Sequence, residues 1–277
     1  MESKSDLKTA ELRELIVGLG SVAVAYSGGT DSTYLLAICL DVVGRKRVLA
    51  VTADSPLTPR TELAEACALA AQLGARHRVL PSDDLGNSLI VANPPDRCYH
   101  CKFTRFQALL EFARDQGFLH LVHGENSDDV SDYRPGSQAA EELGVRAPLR
   151  EVGLTKPEVR LLARQRGLPN WDKPANSCLA SRFPYGTPLT ASSLARVEAA
   201  EDVLRRAWGL RQIRVRDHYP MARLEVPPEE IARLALPQNR TAAVDALRKL
   251  GYRFVALDLA GYRMGSLNDD LELTRPS

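Results

Sequence analysis

The chain has 277 residues, 44% hydrophobic and 26% charged, an ordinary globular balance that excludes wholesale disorder and fibrous architecture. Its length favours one large domain and one smaller one. A formal net charge of +1 is unsuited to a broad nucleic-acid-binding face, and no apolar run approaches the roughly 20 residues that span a bilayer.

Met1 to Asp6 (MESKSD) lacks a signal-peptide hydrophobic region, so the expectation is a cytoplasmic protein without a membrane partner. In a reducing compartment its five cysteines read as buried thiols, metal ligands or nucleophiles before disulfides.

In chain order, an amphipathic helix ends near Leu19, and the apolar run Ser21 to Tyr26 reads as a strand. A glycine loop and a helix through Val43 follow. The alternation continues with a strand over Val48 to Ala53, a helix over Pro59 to Leu73, a strand over Arg76 to Leu80, a helix over Cys98 to Gln116 and a strand over Leu119 to His123. Strands alternating with helices predict a parallel α/β sheet with ligands beyond the strands' carboxyl ends. Thr155-Lys156-Pro157-Glu158 has the form of a capping box opening a helix toward Arg166. Asn170 to Pro188 reads as an irregular connection, which places the domain boundary near Gly186: residues 1–186, then 187–277. The second part reads as a smaller α/β domain, with a helix over Leu189 to Trp208, strands over Gln212 to His218 and Ala222 to Val226, a helix over Arg240 to Leu250 and a strand over Tyr252 to Leu259.

Ser27-Gly28-Gly29-Thr30-Asp31-Ser32 lies where the first strand meets a helix. Glycines there let backbone N–H groups converge on an anion at the positive end of the helix dipole. No lysine follows the glycines, so the loop is not a Walker A sequence. SGGTDS resembles the PP-loop of the ATP pyrophosphatases, which implies an adenine nucleotide alpha hydrolase-like fold and cleavage of ATP between the α and β phosphates. The resemblance implies that Ser27, Gly28, Gly29, Asp31 and Ser32 hold pyrophosphate and its magnesium. It implies further that backbone near Ala25, Ala53 and Gly124 contacts adenine.

Further strings are similar to the LarE sulfur transferases, which build the nickel-pincer cofactor of lactate racemase. They are Ala53-Asp54-Ser55-Pro56, Asp128-Asp129, Asp132-Tyr133-Arg134-Pro135-Gly136, Ser181-Arg182-Phe183-Pro184-Tyr185-Gly186-Thr187 and Ile213-Arg214-Val215-Arg216. That likeness implies adenylation of a carboxylate on a pyridinium dicarboxylate mononucleotide and its conversion to a thiocarboxylate. It also implies a homo-oligomer, in the family a hexamer, with the small domain taking part in substrate binding and assembly.

Cys178 matches the cysteine that one-cysteine members sacrifice as sulfur donor. Cys98-Tyr99-His100-Cys101 departs from those members, and the trio Cys98, Cys101 and Cys178 matches members that carry a 4Fe-4S cluster with an open iron for exchangeable sulfide. A zinc site completed by a nearby histidine such as His100 and thiols that bind no metal are the competing readings of the same residues. Alternation along the strand puts Arg214 and Arg216 on one face, suited to a phosphate monoester or to a solvated, salt-bridged surface. The family likeness adds Lys102, Ser181 and Arg182 to that phosphate site. Asp128, Asp129 and Asp132 read equally as magnesium ligands or as helix caps, and Glu225 matches a family site residue. Cys39 and Cys67 read as packing residues.

Three other readings share the loop. A tRNA thiolation enzyme would carry the same cysteine trio, but it fits poorly with a balanced charge and no added RNA-binding segment. A non-catalytic nucleotide-binding module would only store ATP. An amidating ligase similar to NAD synthetase would leave the cysteine trio without a role.

Overall fold

The computed structural model describes residues 4–131, 135–174, 177–263 and 265–268. The chain divides into two compact units, Met1–Asp83 with Asp96–Ala175, and Asp84–Pro95 with Asn176–Ser277. The division therefore falls at Ala175, ahead of Gly186, and a short earlier segment belongs with the second unit.

The first unit opens with helix α1 (Lys4–Leu19), strand β1 (Val22–Ala25) and helix α2 (Thr30–Val43). There follow β2 (Val48–Asp54), α3 (Arg60–Gln72) and β3 (Arg76–Pro81). The four residues Ser88–Val91 form α4, which belongs to the second unit. The first unit resumes with α5 (Arg97–Asp115), β4 (His120–His123), α6 (Pro135–Glu142), α7 (Pro148–Glu151) and α8 (Lys156–Gln165). The sheet has the order β3-β2-β1-β4, with every pair parallel. Ala25 at the end of β1 stands in register with Val51 and His123, so three strands deliver their carboxyl ends to one edge. β1 throughout and β2 as far as Val51 are apolar because helices cover both faces: Leu12, Ile16, Tyr34, Leu35 and Ile38 pack on one side with Val22 and Val24, and Phe106, Leu109 and Leu110 on the other with Ala23 and Val51.

The capping box of α8 is present, with the Thr155 side chain accepting from the Glu158 N–H and the Glu158 carboxylate accepting from the Thr155 N–H. Lys8 binds the same carboxylate at 2.7 Å and the Gly153 carbonyl at 2.6 Å, which fixes where α8 begins.

The second unit carries α9 (Ala191–Trp208), β5 (Arg214–His218), β6 (Met221–Glu225), α10 (Pro228–Ala235), α11 (Pro237–Lys249) and β7 (Phe254–Leu257). β5 and β6 pair antiparallel, β6 and β7 parallel. Leu204, Ile213, Val215, Leu224, Leu247 and Tyr252 form its core. Asn93 ties the early segment to the rest of this unit: its Nδ2 donates to the Pro184 carbonyl, and its own carbonyl accepts from the Gly186 N–H. Among the described residues no helix is long and apolar enough to cross a membrane.

Candidate functional site

Strand β1 ends at Ala25, and Ser27, Gly28 and Gly29 carry the chain into the first turn of α2. Gly28 has φ +72°, and a side-chain carbon placed there would lie 2.7 Å from Ala66 Cβ of α3; the left-handed backbone and the close approach both require glycine. Gly124, just past β4, lies against α2, where an added carbon would meet the Ser32 nitrogen at 2.6 Å. The hydroxyls of Ser27 and Ser32 are 3.0 Å apart, and Ser32 Oγ also donates to the Gly29 carbonyl. Ala53 occupies the corresponding end of β2. The residues expected to hold pyrophosphate and adenine thus gather at one sheet edge.

Asp31, in the first turn of α2, is the acidic centre of this edge. Its Oδ2 takes Lys156 Nζ at 2.5 Å and Asn126 Nδ2 at 3.5 Å, while Oδ1 is buried without a hydrogen-bond partner. Burial pushes this carboxyl up, against the pull of Lys156, and the nearby Asp129 charge pushes the same way. A buried, uncommitted carboxylate oxygen beside a second acid and a phosphate-binding loop fits a hard divalent cation such as magnesium. Asp129 accepts from the Asn126 N–H, and Asp128 accepts from the Lys156 N–H at the start of α8. Asp132 lies outside the described residues.

Two side chains here have no obvious mark in the sequence. Lys156 comes from the capping-box helix, 125 positions beyond Asp31. Asn170 donates from Nδ2 to the Gly28 carbonyl and to Thr33 Oγ1, both at 3.0 Å.

Beside the loop, buried Glu125 receives Arg150 at 3.0 Å and lies 3.9 Å from Lys102 and 3.7 Å from His123 Nε2. Burial, reinforced by Lys102 and Arg150, pushes His123 down to about 3. A histidine ordinarily near 6.5 binds its proton in the unfolded chain long before the folded one does. Its neutral form therefore contributes stability that is complete above about pH 6.5 and is lost as the pH falls toward 3. Denaturant unfolding at pH 7 and pH 5 is expected to show His123→Asn losing about 2 kcal/mol less than the parent protein over that interval. Equal losses would rule the histidine out as the source.

None of the five cysteines is joined in a disulfide. Cys98 is exposed and Cys101 buried in the first turns of α5, three residues apart and so on one helix face. Arg97 lies 3.6 Å from the Cys98 sulfur, and His100 pairs with Asp96 at 3.3 Å. That donor pair suits a soft metal centre, although among the described residues no three His, Cys, Asp or Glu side chains are gathered for a metal. Cys39 is buried in α2, its thiol pushed up to about 12 by burial.

In the second unit, Cys178 precedes the 3-10 turn Leu179–Arg182. Its carbonyl accepts from Ser181 Oγ at 2.8 Å and from Arg182 at 3.1 Å. Arg182 is fully buried and makes a two-pronged pair with Glu201 at 2.8 and 2.9 Å. Arg216 donates to the Ser181 carbonyl at 2.5 Å and to Glu225 at 2.7 Å. Arg214 lies over the Tyr262 ring, held down at about 10 by burial and by the positive charge of Arg182. Ser181, Arg182, Arg214, Arg216 and Glu225 are thus brought together around the Cys178 turn, with Glu201 as the anion that sequence reasoning missed. Its signal is an acid within the apolar face of α9, at helical spacing from Leu194, Val197 and Leu204.

A parallel sheet whose first strand runs through Ser-Gly-Gly into a helix, with an acid of that helix beside the loop, defines a PP-loop nucleotide-binding domain. A family model described as NAD synthase matches residues 4–94. The chain is 41% identical to the pyridinium-3,5-bisthiocarboxylic acid mononucleotide synthase of Lactiplantibacillus plantarum over 95% of each chain. It is also 42% identical to an uncharacterized protein of Synechocystis sp., over 94% of this chain and 97% of that one. The NH(3)-dependent NAD(+) synthetase of Hyperthermus butylicus is 31% identical over 55% of this chain and 56% of its own. The chain belongs to the LarE family of ATP-dependent sulfur transferases, and it is an enzyme of that type.

Proposed function

We propose that the protein activates a carboxylate of a pyridinium dicarboxylate mononucleotide with ATP and converts it to a thiocarboxylate, a step in building a nickel-pincer cofactor. The likeness to the named synthase carries this reading, because it covers 95% of each chain and so runs through both units. In the first half-reaction a carboxylate oxygen bonds to the α-phosphorus and pyrophosphate departs. In the second, a sulfur nucleophile bonds to the acyl carbon and AMP departs with the oxygen.

Ser27, Gly28, Gly29 and Ser32, with the start of α2, are the proposed holders of the pyrophosphate; to donate to it, the Ser27 and Gly29 N–H groups would exchange the hydroxyls of Ser32 and Ser27, to which they donate at 3.3 Å, for phosphate oxygens. Asp31 and Asp129 are the proposed holders of magnesium. Backbone near Ala25, Ala53 and Gly124 forms the adenine face. Lys102, Ser181, Arg182, Arg214 and Arg216 are the proposed partners of the substrate phosphate, with Glu225 fixing Arg216. Cys98, Cys101 and Cys178 are the proposed ligands of a 4Fe-4S cluster, which when bound supplies replaceable sulfide in place of a sacrificed Cys178 sulfur. The protein is proposed to act in the cytoplasm as a homo-oligomer, drawing sulfur from sulfide or a sulfur donor.

Anaerobically purified protein given ATP, magnesium, sulfide and the mononucleotide should release pyrophosphate and AMP and form thiocarboxylate. Pyrophosphate release indifferent to the mononucleotide would overturn the substrate. Iron and sulfide near about four each per chain, lost in Cys98→Ala, would support the cluster. Without iron, conversion of Cys178 to dehydroalanine during turnover, read as the loss of one hydrogen sulfide from the protein's mass, would establish sacrifice instead.

A further inference from the structure

The phosphate loop of this chain is strapped by a segment that its motif does not contain. Asn170 is 7% exposed and is bound at three points: its Nδ2 donates to the Gly28 carbonyl and to Thr33 Oγ1 at 3.0 Å, and its carbonyl accepts from Thr30 Oγ1 at 2.8 Å. Three residues on, Lys173 binds Glu62 and Glu65 of α3 at 2.6 and 2.7 Å, and Arg160 donates to the Lys173 carbonyl. The same α3 presses Ala66 against Gly28. Gly28 is therefore confined on its Cα by α3 and on its carbonyl by Asn170.

Peptide planarity turns this contact into an orientation. The Gly28 carbonyl and the Gly29 N–H belong to one rigid plane and point in opposite directions. With glycine on both sides, rotation of that plane meets little steric resistance, and a flipped peptide would present a carbonyl oxygen where phosphate needs a donor. The Gly29 N–H donates to Ser27 Oγ at 3.3 Å. We infer that Asn170 is a positioning residue, whose bond to the Gly28 carbonyl holds the Gly29 N–H on the Ser27 side of the loop, from which the β and γ phosphates of ATP would take it over. It acts through the loop and touches no reacting atom. The inference rests on the proposed reading of this loop as the pyrophosphate cradle.

Asn170→Asp keeps the shape of the side chain and replaces the Nδ2 donor with an acceptor facing the carbonyl. Pyrophosphate and AMP affinities are to be measured by titration calorimetry on the parent protein and this variant. Pyrophosphate is expected to bind about tenfold more weakly to the variant, the loss of one hydrogen bond together with its repulsive replacement, and AMP equally well. Unchanged pyrophosphate affinity, or AMP binding weakened in the same proportion, would overturn the positioning role. If Asn170→Asp does not fold, Thr30→Val removes the bond to the Asn170 carbonyl and is held to the same selective loss. A parent protein that binds no pyrophosphate would defeat the functional reading itself, an outcome distinct from a variant that binds as the parent does.

Discussion

Replacing Asp31 by asparagine is expected to lower ATP-dependent pyrophosphate release by about 10²–10³-fold, the scale of losing one preorganised charged group in a phosphoryl-type transition state. The substitution preserves shape and removes charge. It strips Lys156 of the carboxylate held at 2.5 Å and takes a hard oxygen donor from the site that Oδ1 marks. If Asp31 works through magnesium, raising the magnesium concentration should recover part of the lost rate; recovery by added ATP alone would point to nucleotide affinity instead. Retention of activity within about tenfold of the parent would remove Asp31 from the mechanism.

Lys156 supplies a second handle on the same carboxylate. Burial pushes the Asp31 carboxyl up and Lys156 is the chief opposing influence, so Lys156→Met must push it further up. Only the ionised carboxylate binds a metal. Activity that depends on it falls as the pH drops through its pKa, and in Lys156→Met this acid limb is expected to lie at higher pH than in the parent.

This lysine also marks the limit of what the sequence makes legible. The strand-loop-helix order, the parallel sheet and the α8 capping box depend on local patterning, and each stands where the patterning puts it. The cation beside Asp31 does not follow the glycines as in a Walker loop. It arrives from a helix 125 residues later, through contacts that no local window contains. Asn170 is hidden for the same reason, inside a segment legible only as irregular. The helices Pro148–Glu151 and Pro228–Ala235 escape because a single helical turn or two, opened by proline, gives too few residues for a periodic signal. Arginine alternation on β5 is legible. The partners that decide whether those arginines face solvent or an acid are not.

Glu201 carries the largest expected cost in stability. It is 1% exposed and accepts from Arg182, Arg205 and the Val215 N–H. Burial alone would raise its carboxyl, but Arg182, with Arg214 and Arg205, holds it below the ordinary carboxylate range. Glu201→Leu would leave the Arg182 guanidinium fully buried beside Arg214 with its anion gone. The expected cost is about 3–5 kcal/mol, because an unpaired buried charge loses its Coulombic compensation but keeps its desolvation penalty. Of the chain's two tryptophans, Trp171 belongs to the first unit and Trp208 closes α9 in the second. In a Trp171→Phe background, fluorescence therefore reports unfolding of the second unit by itself.

The double variant Arg182→Met with Glu201→Leu separates structure from chemistry. Replacing both charges by apolar groups of similar volume removes the unpaired buried guanidinium, so part of the lost stability should return, while the Val215 N–H still lacks its acceptor. If Arg182 also binds the substrate phosphate, the restored fold should still bind the mononucleotide weakly. Recovery of both stability and substrate affinity would confine Arg182 to holding the Cys178 turn, and would leave Arg214 and Arg216 to meet the phosphate.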